Sequence, residues 1–546
     1  MHYPLKNFNR RKFIACGAGL LALAKSGLAQ QASMEGCDSA SGPFHANWES
    51  LKAYRCPDWF RDAKFGIWAH WSPQCVPGQG DWYARGMYIQ GSPQYDYHVK
   101  TYGHPSQFGY KDLCHIWRAE QWNPEDLMQR YVKAGARYFV ALANHHDNFD
   151  CWDSKYQAWN SVRVGPGRDI VGGWESIARA HGLSFGVTVH GTPGRVWREF
   201  MPVRYGSDAH GPLQGVPYDG LLTRADGKGK WWDGMDPREL NGVPHGKDDP
   251  CPEFVENFML RVQDLIDKYH PDLLYFDDNC DWDFDRGAPW GKELNVWLGM
   301  PELTPRIMAY YYNAILRHRK GTPDAVFNIK NVPPSVRGTL VRDFEMSQAD
   351  AIEAAPWQTD ACIGNWHYDR NLPETHGYRS AESMVHLLVD VVSKNGNLLL
   401  NIPLPGDGRP DEDELAFLER FGAWMAINGE AIYGTRPWKI AGEGVARQDG
   451  HPYAAAPVYT ASDIRFTVKG DALYAIAMGW PTDGKLVFRS LATGTPHFKG
   501  EIARIGLLGS AATLAWSRSA EGVTVRLPAQ PPCEFAYAFK IDSLPG

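Results

Sequence analysis

Short runs of apolar residues alternate with longer amphipathic segments through most of the chain, beginning near Trp59. The apolar runs have the length of buried strands, and several segments between them repeat apolar residues with the period of a helix. Strands separated by helices predict a parallel sheet with crossover connections, and at this length the favoured architecture is a (β/α)8 TIM-like barrel. The predicted strands are residues 64–71, 136–146, 183–190, 272–278, 325–331 and 396–404, and the clearest predicted helices are 124–136, 254–270 and 381–394.

After Trp438 the pattern changes to strict alternation of apolar and polar residues between turn signals. Such alternation is typical of strands with one buried face, so a C-terminal antiparallel β-sandwich is predicted. Gly, Glu and Asp cluster near residues 438–450, where we place the boundary. The predicted organisation is a barrel over residues 45–440 followed by a sandwich over 441–546.

The first 30 residues have the layout of a cleavable export signal. Arg10 and Arg11 precede an apolar stretch at 13–24, and small residues follow at 27–29. The stretch is too short to span a bilayer stably, and the paired arginines favour the bacterial twin-arginine type. An ordinary Sec signal and a lipoprotein anchor at Cys16 are the alternatives. We therefore expect a periplasmic or secreted protein, and we find no other candidate membrane span in the sequence.

Composition narrows the range of functions. The formal net charge of -7 offers no basic surface for nucleic acid and no polybasic patch for membranes. The 22 Trp and 25 Tyr residues include candidates for stacking on sugar faces, although most aromatic residues fill cores. The ten cysteines form no CxxC pair and no zinc spacing, and we expect no metal or other cofactor. A protein exported by the twin-arginine route folds first in a reducing compartment, so we expect mostly free, buried thiols.

Polar side chains stand at the ends of several predicted strands. In a parallel barrel all strand carboxyl ends lie on one face, so these side chains are expected to converge on one pocket. They are His70, His145, His146, His190, Asp277 and Asp278.

Asp277, at the mouth end of a buried strand, is a candidate nucleophile for glycoside hydrolysis. Retaining hydrolysis needs an ionised carboxylate that attacks the anomeric carbon and a protonated carboxyl roughly 5–5.5 Å away. Neutral imidazoles such as those of His145 and His146 suit sugar hydroxyls. Asp277 and Asp278 could instead cap the following loop or hold a metal between their carboxylates. The histidines could be structural or bind zinc, although no HExxH spacing is present.

Several ordered blocks resemble glycoside hydrolase family 29, the α-L-fucosidases. They include WFRDAKFGIWAHW, GDWYARGMY, NHHDNFDCWDSK, PDLLYFDD, PWQTDACIGNW and VSKNGNLLLNIPLPGDG. The resemblance implies a nucleophile at Asp277 and an acid/base at Glu345, which the family carries on a variable loop, with Glu353 as the alternative. It also implies substrate contacts by His70, Asp81, Trp82, His145, His146, His190, Tyr275 and Trp366, and a fucosylated oligosaccharide or polysaccharide as substrate.

Some positions depart from the family pattern. Asp81 replaces a glutamate, Tyr275 replaces a tryptophan, and His190 stands near the place of a missing tyrosine. These changes leave open a related sugar, either an α-L-galactoside or a sulfated algal fucoside. A non-catalytic carbohydrate-binding relative and a metal-dependent hydrolase using His70, His145 and His146 are further alternatives.

Overall fold

Eight parallel strands form a closed barrel in which each strand pairs with the next and β8 pairs with β1. The computed structural model describes residues 41–242, 251–279, 303–445 and 457–543, so the predicted signal at 1–30 lies outside the described residues. The strands are β1 Phe65–Ala69, β2 Tyr138–Asn144, β3 Ser184–Val189, β4 Leu273–Asn279, β5 Val326–Lys330, β6 Val341–Glu345, β7 Trp357–Cys362 and β8 Gly396–Asn401. The predicted TIM-like barrel is confirmed.

Successive side chains of each strand face opposite sides of the sheet. Trp68, Tyr138, Tyr275, Val341 and Leu399 pack together in one buried cluster inside the barrel. The alternate side chains pack outward in the main apolar core, with the surrounding helices. Because both faces are buried, these strands read as almost continuous apolar runs.

Helices connect the strands and cover the barrel. The helices of seven or more residues are Pro93–Thr101, Tyr110–Ile116, Pro124–Lys133, Ile170–Ala180, Pro252–Tyr269, Leu303–His318, Ala381–Ser393 and Glu412–Asn428. Shorter α-helical segments are Trp48–Leu51, Asp58–Ala63, Tyr83–Gly86, Pro193–Arg195, Met201–Arg204, Arg238–Asn241 and Asn371–Thr375. Side-chain caps start several of them: Asn123 accepts from the Asp126 amide, and Asp411 and Glu414 form a reciprocal capping box. The three predicted helices are confirmed.

The six predicted strands are confirmed, but β6 and β7 were not predicted. β6 has the sequence VRDFE and β7 the sequence WQTDAC, so polar side chains interrupt their apolar pattern. Asp343 and Asp360 are nevertheless buried. The two carboxyl groups lie inside the barrel against Tyr275, and their polar character hides the strands in the sequence.

The C-terminal part consists of two antiparallel sheets packed face to face, as predicted. The first has the order β13-β16-β11-β10-β9 and the second the order β12-β15-β14. Their strands are β9 Arg436–Glu443, β10 Ile464–Lys469, β11 Ala472–Ala477, β12 Lys485–Phe488, β13 Ile502–Leu507, β14 Trp516–Arg518, β15 Val523–Arg526 and β16 Tyr537–Ser543. The predicted boundary between residues 440 and 441 falls inside β9.

The sandwich packs against the helices Ala381–Ser393 and Glu412–Asn428. The Trp424 indole donates to the carbonyl of Ala536 at 2.7 Å, and Arg465 forms a buried ion pair with Asp390. The cysteines within the described ranges are free thiols. No helix within those ranges is both long and apolar enough to cross a membrane.

Candidate active site

A pocket of about 300 Å³ opens at the carboxyl ends of the barrel strands. This volume is at the small end of the range for ligand sites and suits a single sugar ring. Its lining residues are Trp68, His70, Asp81, Trp82, His145, His146, Arg195, Asp277, Glu345, Asp360 and Trp366. Of the strand-end side chains predicted to converge, four line this pocket: His70, His145, His146 and Asp277. His190 contacts Asp277 without being a lining residue, and the Asp278 side chain lies outside the described residues.

Asp277, on β4, is held between two side chains from the neighbouring strands. His190 Nδ1 lies 2.8 Å from Asp277 Oδ2, and the Lys330 ammonium contacts Asp277 Oδ1. Burial alone would raise the pKa of Asp277, but Lys330 and then His190 hold it well below its usual range. Asp277 is thus an ionised carboxylate facing the pocket, which is the state a nucleophile requires.

Glu345 is the last residue of β6, so the expectation that it lies on a loop is wrong. Its Oε2 lies 2.9 Å from Lys330 Nζ, the same nitrogen that contacts Asp277. Two carboxylates that share one ammonium are close neighbours, in keeping with the roughly 5–5.5 Å separation of retaining glycosidases. Glu353 instead pairs with Arg342 at 3.0 Å and is not among the lining residues.

Four histidines form one wall of the pocket or lie directly behind it. Burial first, and the neighbouring imidazoles next, lower the pKa of His70 and His145 well below its usual value. Burial likewise lowers the pKa of His146 and, against the opposing effect of Asp277, that of His190. These rings are therefore neutral near pH 7 and can each offer one donor and one acceptor.

Neighbouring groups determine which nitrogen of two rings carries the proton. Gln74 uses its amide oxygen to accept from the Ala84 amide and its nitrogen to donate to His145 Nδ1 at 2.8 Å. His146 Nδ1 donates to the carbonyl oxygen of His190. His145 consequently presents an Nε2–H donor and His146 an Nε2 acceptor, a complementary pair for a sugar hydroxyl.

Asp81 organises the loop that carries Trp366. Its carboxylate accepts from the backbone amide of Trp366 at 3.1 Å and from that of His367 at 2.7 Å. Trp82, which follows Asp81, has a left-handed backbone conformation with φ 62°. Its ring packs edge-on against the His146 ring, with 5.7 Å between the ring centroids. Asp81 and Trp82 both line the pocket, and Asp81 also holds the backbone of a third lining residue, Trp366.

Tyr275 lies beneath the pocket rather than in its lining. The side chain is fully buried, and its hydroxyl lies 3.0 Å from Asp360, 3.1 Å from Asp343 and 3.4 Å from Asp277. The Tyr275 hydroxyl therefore links Asp277 to the buried carboxyl groups of Asp343 and Asp360 inside the barrel.

Sequence reasoning missed four residues of this site: Trp68, Arg195, Lys330 and Asp360. Lys330 lies one residue before the end of a predicted strand, as Asp277 does, so the same signal could have located it. Asp360 was hidden because β7 was not predicted as a strand. Arg195 follows β3 in a short helical segment that carries no local motif.

Histidine nitrogens lie close enough together to be considered as metal ligands. One ligand atom from each of His70, His145 and His190 falls within 4.8 Å of the others, and the same holds for His146, His190 and Asp277. Hydrogen bonds to Gln74 and to the His190 carbonyl already occupy one nitrogen of His145 and one of His146. The metal-dependent alternative predicts that excess chelator abolishes turnover, whereas direct sugar binding predicts no effect.

Comparison with known proteins agrees with this geometry. A family model described as Alpha-L-fucosidase matches residues 31–430, and one described as Alpha-L-fucosidase C-terminal domain matches residues 459–542. The alpha-L-fucosidase of Branchiostoma floridae is 27% identical over 520 residues, covering 91% of this chain and 95% of that protein. Human tissue alpha-L-fucosidase is 26% identical over 515 residues, covering 91% of both chains.

Solved structures give the same result. The crystal structure of Thermotoga maritima alpha-fucosidase in complex with fucose has a TM-score of 0.65 and 28% identity, covering 91% of this chain and 100% of that chain. The same enzyme in complex with a mechanism-based inhibitor gives a TM-score of 0.67 at 28% identity, covering 91% and 99%. This chain is a glycosidase that belongs to the α-L-fucosidase family, glycoside hydrolase family 29.

Proposed function

We propose that the protein is an exo-acting, retaining glycosidase that releases α-L-fucose from fucosylated oligosaccharides or polysaccharides through a covalent fucosyl-enzyme. The observation that carries this proposal is the pairing of Asp277 and Glu345 around one lysine in a pocket of single-sugar size. Two carboxylates in close proximity are the arrangement of a retaining enzyme, whereas inverting enzymes leave space for a water molecule between them.

In the first step Asp277 attacks C1 of the bound sugar and forms an ester, while the bond from C1 to the leaving oxygen breaks. Glu345, which enters this step as the protonated carboxylic acid, gives its proton to that oxygen and becomes a carboxylate, so the leaving group departs as an alcohol. In the second step Glu345 takes a proton from water as the water oxygen attacks C1. The ester bond breaks, Asp277 returns as a carboxylate, and fucose leaves with its α configuration retained.

The neutral histidines hold the sugar during both steps. His70, His145 and His146 can exchange hydrogen bonds with the ring hydroxyls without bringing additional positive charge next to Asp277. Trp82 and Trp366 add apolar ring faces to the pocket lining. The small volume of the pocket favours a terminal sugar over an internal one, which supports exo action.

Replacement of Asp277 and Glu345 in turn tests these roles. We expect Asp277→Ala to lower kcat on an aryl α-L-fucoside by at least about 10³-fold, because no other lining carboxylate replaces the nucleophile, while fucose still binds. Added azide should restore turnover of Asp277→Ala and yield the β-fucosyl azide. With Glu345→Ala, azide should attack the fucosyl-enzyme and yield the α-azide.

Glu353→Ala is the matched control, because Glu353 lies on the same segment and outside the pocket lining. It should retain turnover and give no azide product. Near-normal activity of Asp277→Ala would overturn the assignment of the nucleophile, and an α-azide only from Glu353→Ala would move the acid/base to Glu353.

We also propose that the protein is exported to the periplasm or beyond it through a twin-arginine signal at residues 1–30. Arg10 and Arg11 before the apolar stretch support this proposal. Replacing both arginines with lysine should leave the enzyme in the cytoplasm of a bacterial host. Unchanged export would favour a Sec signal.

A further inference from the structure

Asp360 is a lining residue of the sugar pocket, and one of its carboxylate oxygens has no hydrogen-bond partner within the part of the chain that the structure describes. It lies on β7 and is fully buried, and it lines the pocket together with Asp277 and Glu345. Its Oδ2 accepts from the Tyr275 hydroxyl at 3.0 Å and lies 3.7 Å from Lys330 Nζ. Its Oδ1 is buried without a hydrogen-bond partner among the described residues.

The pocket lining contains a second buried polar atom without a partner among the described residues, and this one is a hydrogen-bond donor. The Trp68 side chain also lines the pocket, and its indole Nε1 is buried without a partner within the described ranges. Indole N–H is a donor only and a carboxylate oxygen is an acceptor. Leaving such groups unpaired is costly, so a buried pair in a ligand pocket indicates a ligand group that both accepts and donates, such as a hydroxyl.

The barrel order indicates which part of the sugar meets Asp360. C1 must lie at Asp277 on β4, and the imidazoles that suit the hydroxyls of C2 to C4 follow β1, β2 and β3. In a pyranose the ring oxygen and C5 lie on the other side of C1 from C2. The substituent on C5 is therefore directed toward the remaining strands, among which β7 carries Asp360.

Resting on the proposed function, we propose that Asp360 and Trp68 form a subsite for a hydroxymethyl group on C5, so that the enzyme hydrolyses α-L-galactosides as well as α-L-fucosides. L-Fucose is 6-deoxy-L-galactose, and the two sugars are identical from C1 to C4. The additional hydroxyl on C6 of L-galactose accepts from Trp68 Nε1 and donates to Asp360 Oδ1. Asp360 is then a specificity-determining residue that touches the substrate.

Asp343 provides a matched control within the same network. It also contacts the Tyr275 hydroxyl, at 3.1 Å, and is buried, but it is not among the residues that line the pocket. Replacing either aspartate with leucine removes one carboxyl near Lys330. Only the replacement of Asp360 removes a group that faces the sugar.

The test compares kcat/KM for 4-nitrophenyl α-L-galactoside and 4-nitrophenyl α-L-fucoside. Wild-type enzyme should hydrolyse both, and Asp360→Leu should lower the galactoside-to-fucoside ratio by on the order of 10²-fold, because the C6 hydroxyl loses its acceptor. Asp343→Leu should reduce both substrates alike and leave the ratio unchanged. Using the ratio separates specificity from any general loss of activity.

Hydrolysis of the fucoside alone by wild type, or an unchanged ratio in Asp360→Leu, overturns the subsite while leaving the proposed function intact. If the wild type hydrolyses neither glycoside, the proposed function itself is overturned. Should Asp360→Leu fail to fold, competitive inhibition of the wild type by free L-galactose and L-fucose replaces it. L-Galactose is expected to inhibit at least as strongly as L-fucose, and much weaker inhibition contradicts the subsite.

Discussion

At the scale of single residues, Lys330 determines the charge state of the active site. Its ammonium contacts Asp277 and lies 2.9 Å from Glu345 and 3.7 Å from Asp360. Burial alone would lower the pKa of Lys330, but the surrounding carboxylates, Asp277 first, raise it well above its usual value. Lys330 therefore stays charged across the working pH range and stabilises Asp277 as an anion.

Replacing Lys330 with methionine should shift the pH dependence of activity. Without the ammonium, burial of Asp277 is opposed mainly by His190, so the pKa of Asp277 rises. Because the ionised form of Asp277 is the active one, activity is lost at a higher pH as the solution is acidified. The acidic limb of kcat/KM against pH should move to higher pH.

Lys330→Arg retains the positive charge and serves as the control, so its acidic limb should stay close to that of wild type. An unmoved limb in Lys330→Met would show that the lysine does not control the ionisation of Asp277.

Sequence patterns located the residues of this site unevenly. Asp277 and the histidines follow continuous apolar strands, so their positions were evident without a structure. Asp360 and Asp343 were not found, because they interrupt the apolar pattern of their strands. Their place in the site depends on contacts with Tyr275 and Lys330, which are distant in sequence. Strands that are far apart in the sequence become neighbours only when the barrel closes, and a local pattern of apolar and polar residues does not predict which side chains then meet.

At the scale of elements, the loop after β2 is held to the helix Pro252–Tyr269 by a buried ion pair. The Arg261 guanidinium contacts both carboxylate oxygens of Asp150, and it donates to Asn148 Oδ1 at 2.6 Å. Asn148 has a positive φ of 71°. Because this loop begins with His145 and His146, the ion pair holds the segment that carries these two pocket-lining imidazoles from outside the pocket.

Arg261→Met should lower the free energy of unfolding by about 3–5 kcal/mol, because Asp150 would remain buried without its counter-ion. Urea denaturation followed by tryptophan fluorescence measures the change. Arg130→Met is the control, since Arg130 pairs with Asp126 at an exposed site on a helix, with side-chain exposures of 44% and 47%. Equal effects of the two replacements would contradict a special role for the buried pair.

At the scale of the whole molecule, the sandwich is attached to the barrel through charged as well as apolar contacts. Asp390, on the helix Ala381–Ser393, pairs with Lys394 at 2.8 Å and with Arg465 from β10. Burial would raise the pKa of Asp390, but Arg465 and then Lys394 lower it. The alternating pattern after Trp438 predicted the sandwich, but nothing in it indicated this contact with the barrel.

Arg465→Met should lower the free energy of unfolding by about 3 kcal/mol, since Asp390 would keep only one of its two cationic partners in a buried site. Activity measured below the transition should stay unchanged, because the ion pair is not part of the catalytic pocket. Arg504→Met, which breaks an exposed pair with Asp542 within the sandwich, should leave the urea midpoint almost unaltered. A wild-type midpoint for Arg465→Met would contradict the proposed role of the pair.

The most direct test of the central claim is to identify the residue that becomes bonded to the sugar. The enzyme is incubated with 2-fluoro-fucosyl fluoride, digested and analysed by mass spectrometry. Fluorine on C2 slows hydrolysis of the ester, so the intermediate accumulates. We predict one fluorofucosyl group per chain, on the peptide that carries Asp277. Labelling of Glu345 or Asp360 instead, or inactivation without a covalent adduct, would contradict the account.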